Sequence, residues 1–127
     1  MANWQRGDLY LKGTKGALAG FIHAAMTSDV SIHGLSLPAV NGGYIDSEIK
    51  IDFNESAKLS DDKYIFNTYL SNCGSIDVED FIGLSKTFNV DVYVDVVDPW
   101  GGIQHILLIE NGIISKNEII EIDRWYI

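Results

Sequence analysis

The sequence predicts an α+β fold, an antiparallel sheet carrying two helices on one face. Three observations lead to it. Apolar and polar residues alternate with period two in several separate stretches. Apolar stripes at helical spacing occur twice, over about 15–27 and 76–87. Between Phe88 and Asn111 the two periodicities meet a pair of turn signals, giving a strand, a turn, a second strand and a second turn. There Val90, Val92, Val94 and Val96 fall on one face and Asp91, Tyr93 and Asp95 on the other.

In chain order, residues 5–12 form the first strand, with Leu9 and Leu11 pointing one way and Asp8, Tyr10 and Lys12 the other. Gly13 ends it, and the Thr14 hydroxyl is placed to cap the helix that follows. Ala17, Leu18, Phe21, Ile22, Ala25 and Met26 mark the buried stripe of that helix. Gly16 and Gly20 weaken it, unless Gly20 lets it approach the sheet closely. From Ser28 to Gly43 the periodicity fades into a long connection. It is either a functional loop or an irregular cover whose Leu35, Leu37 and Val40 rest on the core.

Residues 45–53 alternate again, with Ile45, Ser47, Ile49, Ile51 and Phe53 on one face. Residues 54–62 read as a polar turn, and 63–70 as a matching strand with Tyr64, Phe66, Thr68 and Leu70 on one side. These two strands are expected to pair as a hairpin with a long loop. Ser75 is the candidate N-cap of the second helix. Asp77, Glu79 and Asp80 sit favourably at the positive end of its dipole. Val78, Phe81, Ile82, Leu84 and Phe88 form its stripe. After the hairpin and its Asn111-Gly112 turn come a short strand, a turn at 116–118, and a last strand or tail over 119–127.

The order strand, helix, strand, strand, helix, strand matches a ferredoxin-like βαββαβ sandwich with extra C-terminal strands. That arrangement sets the first strand beside the strand at 90–96. At 127 residues the chain is expected to be one domain, 1–127, large enough to bury a core without disulfides or metal. A single cysteine, Cys73, forms no internal bridge and fits a reducing compartment. No apolar run is long enough to span a membrane, and Met-Ala-Asn-Trp-Gln-Arg-Gly-Asp lacks the features of a signal peptide. The expectation is a soluble cytoplasmic protein.

The formal charge is −9, from 9 basic and 18 acidic residues. This balance argues against unaided binding to nucleic-acid phosphates. It suits a solvated acidic surface or docking on a basic protein patch.

Through short motifs spread over most of its length, the chain resembles the YubB-type ferredoxin-like family of small phage and plasmid proteins, whose opening reads like Met-(Ala/Pro)-Asn-Trp-Cys-x-Asn-x-Leu-x-Ile-x-Gly. Asn3, Trp4, Leu9, Leu11 and Gly13 match it, with Gln5 in place of the cysteine and Gly7 in place of the asparagine. Phe66, Thr68 and Ser71 fit a later Phe-x-Thr-Ala-Trp-Ser-Pro-Pro pattern, with Leu70 in place of the tryptophan and Asn72-Cys73 in place of the prolines. Leu84-Ser85, Phe88, Asp98-Pro99, Gly101 and Asn111-Gly112 also fit. The resemblance supplies no catalytic residues. It implies the ferredoxin-like fold and a mobile-element origin, in a bacteriophage or prophage.

Asp91, Asp95 and Asp98 could suggest paired carboxylates. However, positions 91 and 95 lie roughly 13 Å apart along a strand, too far to share a metal ion. Asp98 before Pro99 is a common turn residue. His23, His33 and His105 show no ligand spacing, so no metal or cofactor is expected. A Cys73–His nucleophilic pair would need a stabilised thiolate. Asp77, Glu79 and Asp80 oppose one, and only the nearby helix N-terminus favours it. Gly42-Gly43 and Gly101-Gly102 belong to no phosphate-loop pattern.

Aromatic residues among acidic ones are the better functional signal. Trp4 is expected to fold back over the sheet. Trp100, in a turn, suits a partner as well as it suits the core rim. The candidate partner-binding residues are Tyr10, Asp91, Tyr93, Asp95, Trp100, Trp125 and Tyr126.

The functional expectation is a small acidic protein that binds another protein rather than catalysing a reaction. The partner would be a host or phage protein; in the sharper version the chain blocks a nucleic-acid-binding or defence system of the host, such as a CRISPR effector or another defence nuclease, by occupying its basic groove. A homo-oligomer joined through the C-terminal strand or through Tyr10 and Tyr93 is one alternative. An RNA-binding sheet that stacks bases on the same tyrosines is another. An enzyme is the weakest option.

Overall fold

The computed structural model describes residues 4–25, 27–29, 34–36, 43–45, 57–60 and 63–122. Strand β1 (Trp4–Gly13) leads to helix α1 (Lys15–Ala25). Four short strands follow, β2 (Thr27–Asp29), β3 (Gly34–Ser36), β4 (Gly43–Ile45) and β5 (Ala57–Ser60). Then come β6 (Lys63–Cys73), α2 (Val78–Phe88), β7 (Asp91–Asp98), β8 (Ile103–Glu110) and β9 (Ile113–Glu121).

Among the described residues these strands form one sheet in the order β2-β3-β4-β6-β1-β7-β8-β9, with β5 also pairing to β6. Every pair of strands is antiparallel. The fold is therefore α+β, and β1 does lie beside β7. The five long strands β6-β1-β7-β8-β9 make its main body.

Burial follows the alternation. Leu9 and Leu11 of β1, Phe66 and Leu70 of β6, Val92, Val94 and Val96 of β7, and Leu107 and Ile109 of β8 are buried with Val90 on one face. Leu18 and Phe21 of α1 and Phe81 and Leu84 of α2 close over them. The two helices touch through an edge-to-face contact of Phe21 and Phe88, ring centroids 5.5 Å apart. The opposite sheet face carries Asp8, Tyr10 and Lys12 of β1, Asp91, Tyr93 and Asp95 of β7, and Ile106 and Leu108 of β8, and it is called the open face below.

Local chemistry sets the element ends. Thr14 Oγ1 accepts from the Ala17 N–H at 3.1 Å, capping α1 as its position predicts. The helix ends at Ala25, short of 27, and the chain re-enters the sheet at Thr27. Gly20 is exposed, and a Cβ there would meet nothing within 4 Å, so it serves no close approach. Gly7 does: a Cβ on it would run into the Asp95 carbonyl oxygen of β7.

The N-cap of α2 is Asp77, not Ser75. Its side chain accepts from the Glu79 N–H at 3.0 Å. Ile76 is buried ahead of the cap, and its N–H donates to Oε1 of buried Gln5 at 3.0 Å. This tether to β1 holds Ser75 and Ile76 outside the helix. At the other end Asn89 takes the left-handed conformation, φ 55°.

Three further expectations change. The connection over 28–43 contains strand β3 and residues of β2 and β4, each with a neighbour in the sheet. Ala57–Ser60, read as part of a polar turn, is a strand on β6. Of the strand expected over 45–53 only Ile45 is described, as the last residue of β4, and 46–53 lie outside the described residues. The C-terminal segment is one strand across 113–121, with no turn at 116–118. A bulge interrupts it: Leu108 pairs with Lys116 and Ile109 with Ile114, leaving Ser115 unmatched.

The hairpins are as the turn residues require. Asn111 and Gly112 both have positive φ, 53° and 73°, in the two-residue turn between β8 and β9. Asp98 is buried at the β7–β8 turn, and its Oδ1 accepts from the Gly101 N–H at 2.7 Å. The Gly102 N–H reaches the Asp98 carbonyl at 2.9 Å, and the Ile122 N–H reaches the Gly102 carbonyl at 2.8 Å. The turn is thus tied to the end of β9.

Candidate functional site

The open face is ordered in rows by strand register. Tyr10 of β1 stands directly opposite Tyr93 of β7, and the rings meet edge-to-face at 5.7 Å. Such a pair adds about 0.5–1.5 kcal/mol beyond burial alone. Leu108 of β8 continues this row. In the next row Asp8 stands directly opposite Asp95. On the other side of the tyrosines, Lys12 stands opposite Asp91, with Nζ and Oδ2 3.7 Å apart.

A groove of about 410 Å³ lies along these rows, lined by Asp8, Tyr10, Tyr93, Asp95, Leu108 and Glu110 together with Lys12 and Asp91. Four of these side chains are carboxylates, and two are the paired tyrosines.

The carboxylates differ in what they already hold. Asp91 Oδ1 accepts from the Asn111 N–H at 3.0 Å, fixing the start of the β8–β9 turn, while Oδ2 faces Lys12. Asp95 Oδ1 accepts from Gln104 Nε2 at 2.8 Å. Among the described residues Asp8 has no hydrogen-bond or ion-pair partner, although it faces Asp95 across the strands. Like charges directly opposite in a sheet are unfavourable. A cation placed at this row would offset such repulsion.

Of the sequence candidates, Tyr10, Asp91, Tyr93 and Asp95 come together in the groove. Trp100 does not line it. It sits in the β7–β8 turn with 54% of its surface exposed. Trp125 and Tyr126 lie outside the described residues. Trp4 is half-buried, and the Arg6 guanidinium lies over its ring at 5.5 Å. Sequence reasoning left out Tyr69, which is exposed and stands opposite Asp8 on the side away from Asp95. Parity could have found it, because Phe66, Thr68 and Leu70 point to the core and leave Tyr69 on the open face.

Among the described residues no three His, Cys, Asp or Glu side chains are grouped as a metal site requires. His105 is buried, with Nε2 2.7 Å from Asn117 Oδ1. Cys73 is exposed. Among the described residues no helix is long and apolar enough to cross a membrane. No protein-family model, curated protein or solved structure with which the chain was compared matches it.

Proposed function

We propose that this chain acts by binding a protein, through the groove on its open sheet face, and that the groove receives a lysine or arginine side chain of a basic partner. The observation that carries this reading is the Asp8–Asp95 pair, placed one row from the Tyr10–Tyr93 pair. A guanidinium or ammonium group there would meet two carboxylates beside a pair of aromatic rings. The formal charge of −9 extends the same preference over the whole molecule.

The finer reading adds three things. The sheet order β6-β1-β7, with short strands beyond β6, supports a ferredoxin-like sandwich extended by β8 and β9. The YubB-type resemblance supports an origin in a phage or other mobile element, and hence action in a bacterial cytoplasm. Charge and resemblance together favour a host nucleic-acid-binding or defence protein as the partner, with its basic groove occupied by this acidic face. On this reading the chain works without catalysis or cofactor.

Affinity capture from a bacterial lysate with wild-type chain and with Asp8→Lys, followed by mass spectrometry, tests the proposal. The expected result is a protein with a strongly basic surface patch that the wild type retains and the variant loses. Identical retention by both chains, or no enrichment of basic proteins, would overturn it.

A further inference from the structure

Strand β9 is the last strand of the sheet, and among the described residues its outer edge has no neighbour. All of its residues are exposed, with Ile113 and Ile119 about two-thirds exposed, at 69% and 66%, and Ile114 and Ile120 open as well. A long edge with exposed isoleucines is a template for strand pairing. Edges protected by charge carry it so as to repel another strand. The charges of β9 are arranged differently.

We propose that β9 pairs antiparallel with β9 of a second copy of this chain, about a two-fold axis that passes through Asn117 perpendicular to the sheet. Such an axis leaves each sheet face on its own side, so residues brought opposite one another share a face. With Asn117 opposite itself, Lys116 of each copy faces Glu118 of the other. Both residues lie on the open face, opposite Leu108 and Ile106 of β8. Within one chain they already approach to 3.7 Å, so the charges are near the position the pairing needs. The Asn117 side chain is engaged with His105 on β8, turned away from the shared edge.

Beyond Lys116 the bulge decides the register. Ser115 has no partner on β8. Skipping it on the outer edge too sets Ile114 against Ile119 of the other copy, and Ile113 against Ile120. The faces agree in both cases. Ile114 and Ile119 lie opposite buried Ile109 and His105, on the helical side. Ile113 and Ile120 lie opposite Glu110 and Gln104, on the open side. Counting straight through Ser115 would instead oppose Ile113 to Glu121. One register therefore satisfies both charges and all four isoleucines, and it uses the irregularity the strand already has. Apolar cross-strand pairs and opposite charges both stabilise such a ladder.

This inference does not depend on the groove. It does place two grooves on the same side of one continuous sheet, so a partner with two basic segments would gain from bivalent attachment.

The test is sedimentation of the full chain at concentrations up to on the order of 100 µM. The wild type is expected to reach twice the 14.1 kDa chain mass. Lys116→Glu alone, or Glu118→Lys alone, opposes like charges at two positions of the dimer. Each should self-associate about tenfold more weakly or worse, with an unchanged circular dichroism spectrum. Mixed in equal amounts, the two variants restore both opposite-charge pairs, and a heterodimer should form with near wild-type affinity. A monomeric wild type would overturn the proposal. So would a dimer indifferent to either substitution, or a mixture that stays monomeric.

Discussion

Ser85 is buried on α2, and its hydroxyl joins three elements. It donates to the Val90 carbonyl at 2.7 Å and accepts from the Gly112 N–H at 3.1 Å, so the end of α2, the entry to β7 and the β8–β9 turn share one atom. Ser85→Ala leaves a carbonyl and an N–H without that partner in a dry position. It is expected to cost about 1–3 kcal/mol, read as a lower urea midpoint at unchanged slope. An unaltered midpoint would show that water or a shift of the turn replaces the hydroxyl. Gly7 makes the opposite demand, since it is needed for the atom it lacks. A Cβ there meets backbone of β7 at the Asp95 carbonyl and at the Val96 Cα, 2.9 Å away, and neither can rotate aside. Gly7→Ala is expected to lose about 1–3 kcal/mol and to disturb the β1–β7 register that aligns Tyr10 with Tyr93. The Tyr10–Tyr93 contact shifts in a two-dimensional NMR spectrum would report that disturbance directly.

At the scale of elements, α2 is stabilised at both ends, by Asp77 and Asn89, yet carries Gly83 on its exposed side. A Cβ at Gly83 would meet nothing within 4 Å, so no contact explains the glycine. Gly83→Ala is therefore expected to raise stability by about 0.5–1 kcal/mol through helix propensity alone, visible as a higher thermal midpoint. What the sequence revealed about elements follows the same line between local and distant causes. The valine face of β7 and the leucine face of β1 were legible because alternation is a property of each strand by itself. The Thr14 cap and the Asn111-Gly112 turn were legible for the same reason. The α2 N-cap was not, because Ser75 and Asp77 are both good caps and the choice is made by Gln5, 71 residues away. The unity of β9 was hidden for a related reason. Lys116-Asn117-Glu118 looks like a turn when polarity is read as a break, but an edge strand open on both faces is polar without breaking. The groove was half legible: parity placed Tyr10, Tyr93, Asp91 and Asp95 on open faces. Only the β1–β7 register showed that Tyr10 meets Tyr93 and that Asp8 meets Asp95.

For the whole molecule the governing quantity is charge. A net −9 over 127 residues, with Asp8, Asp91 and Asp95 on the face that holds the tyrosines, separates the protein-binding reading from base stacking on RNA. The tyrosine pair would suit either ligand, but a phosphate chain laid across it would meet the carboxylates, whereas a basic protein would be drawn to them. No shift of single-stranded RNA is therefore expected at low salt, where any favourable phosphate contact would be strongest. A shift that disappears in Tyr93→Ala would overturn this. With a captured basic partner the prediction takes a kinetic form. Raising the salt from about 0.1 to about 1 M shortens the Debye length from about 10 to about 3 Å, so attraction between the two surfaces no longer reaches through solvent before contact. The association rate should fall steeply across that range while the dissociation rate changes little, because steering acts on encounter. Asp8→Lys reverses one charge in the lining of the groove without removing a described hydrogen bond, so it should flatten the salt dependence of association as well as lower its rate. Surface plasmon resonance on the pair measures both rates. A salt-independent association rate would mean that the charge has no part in recognition.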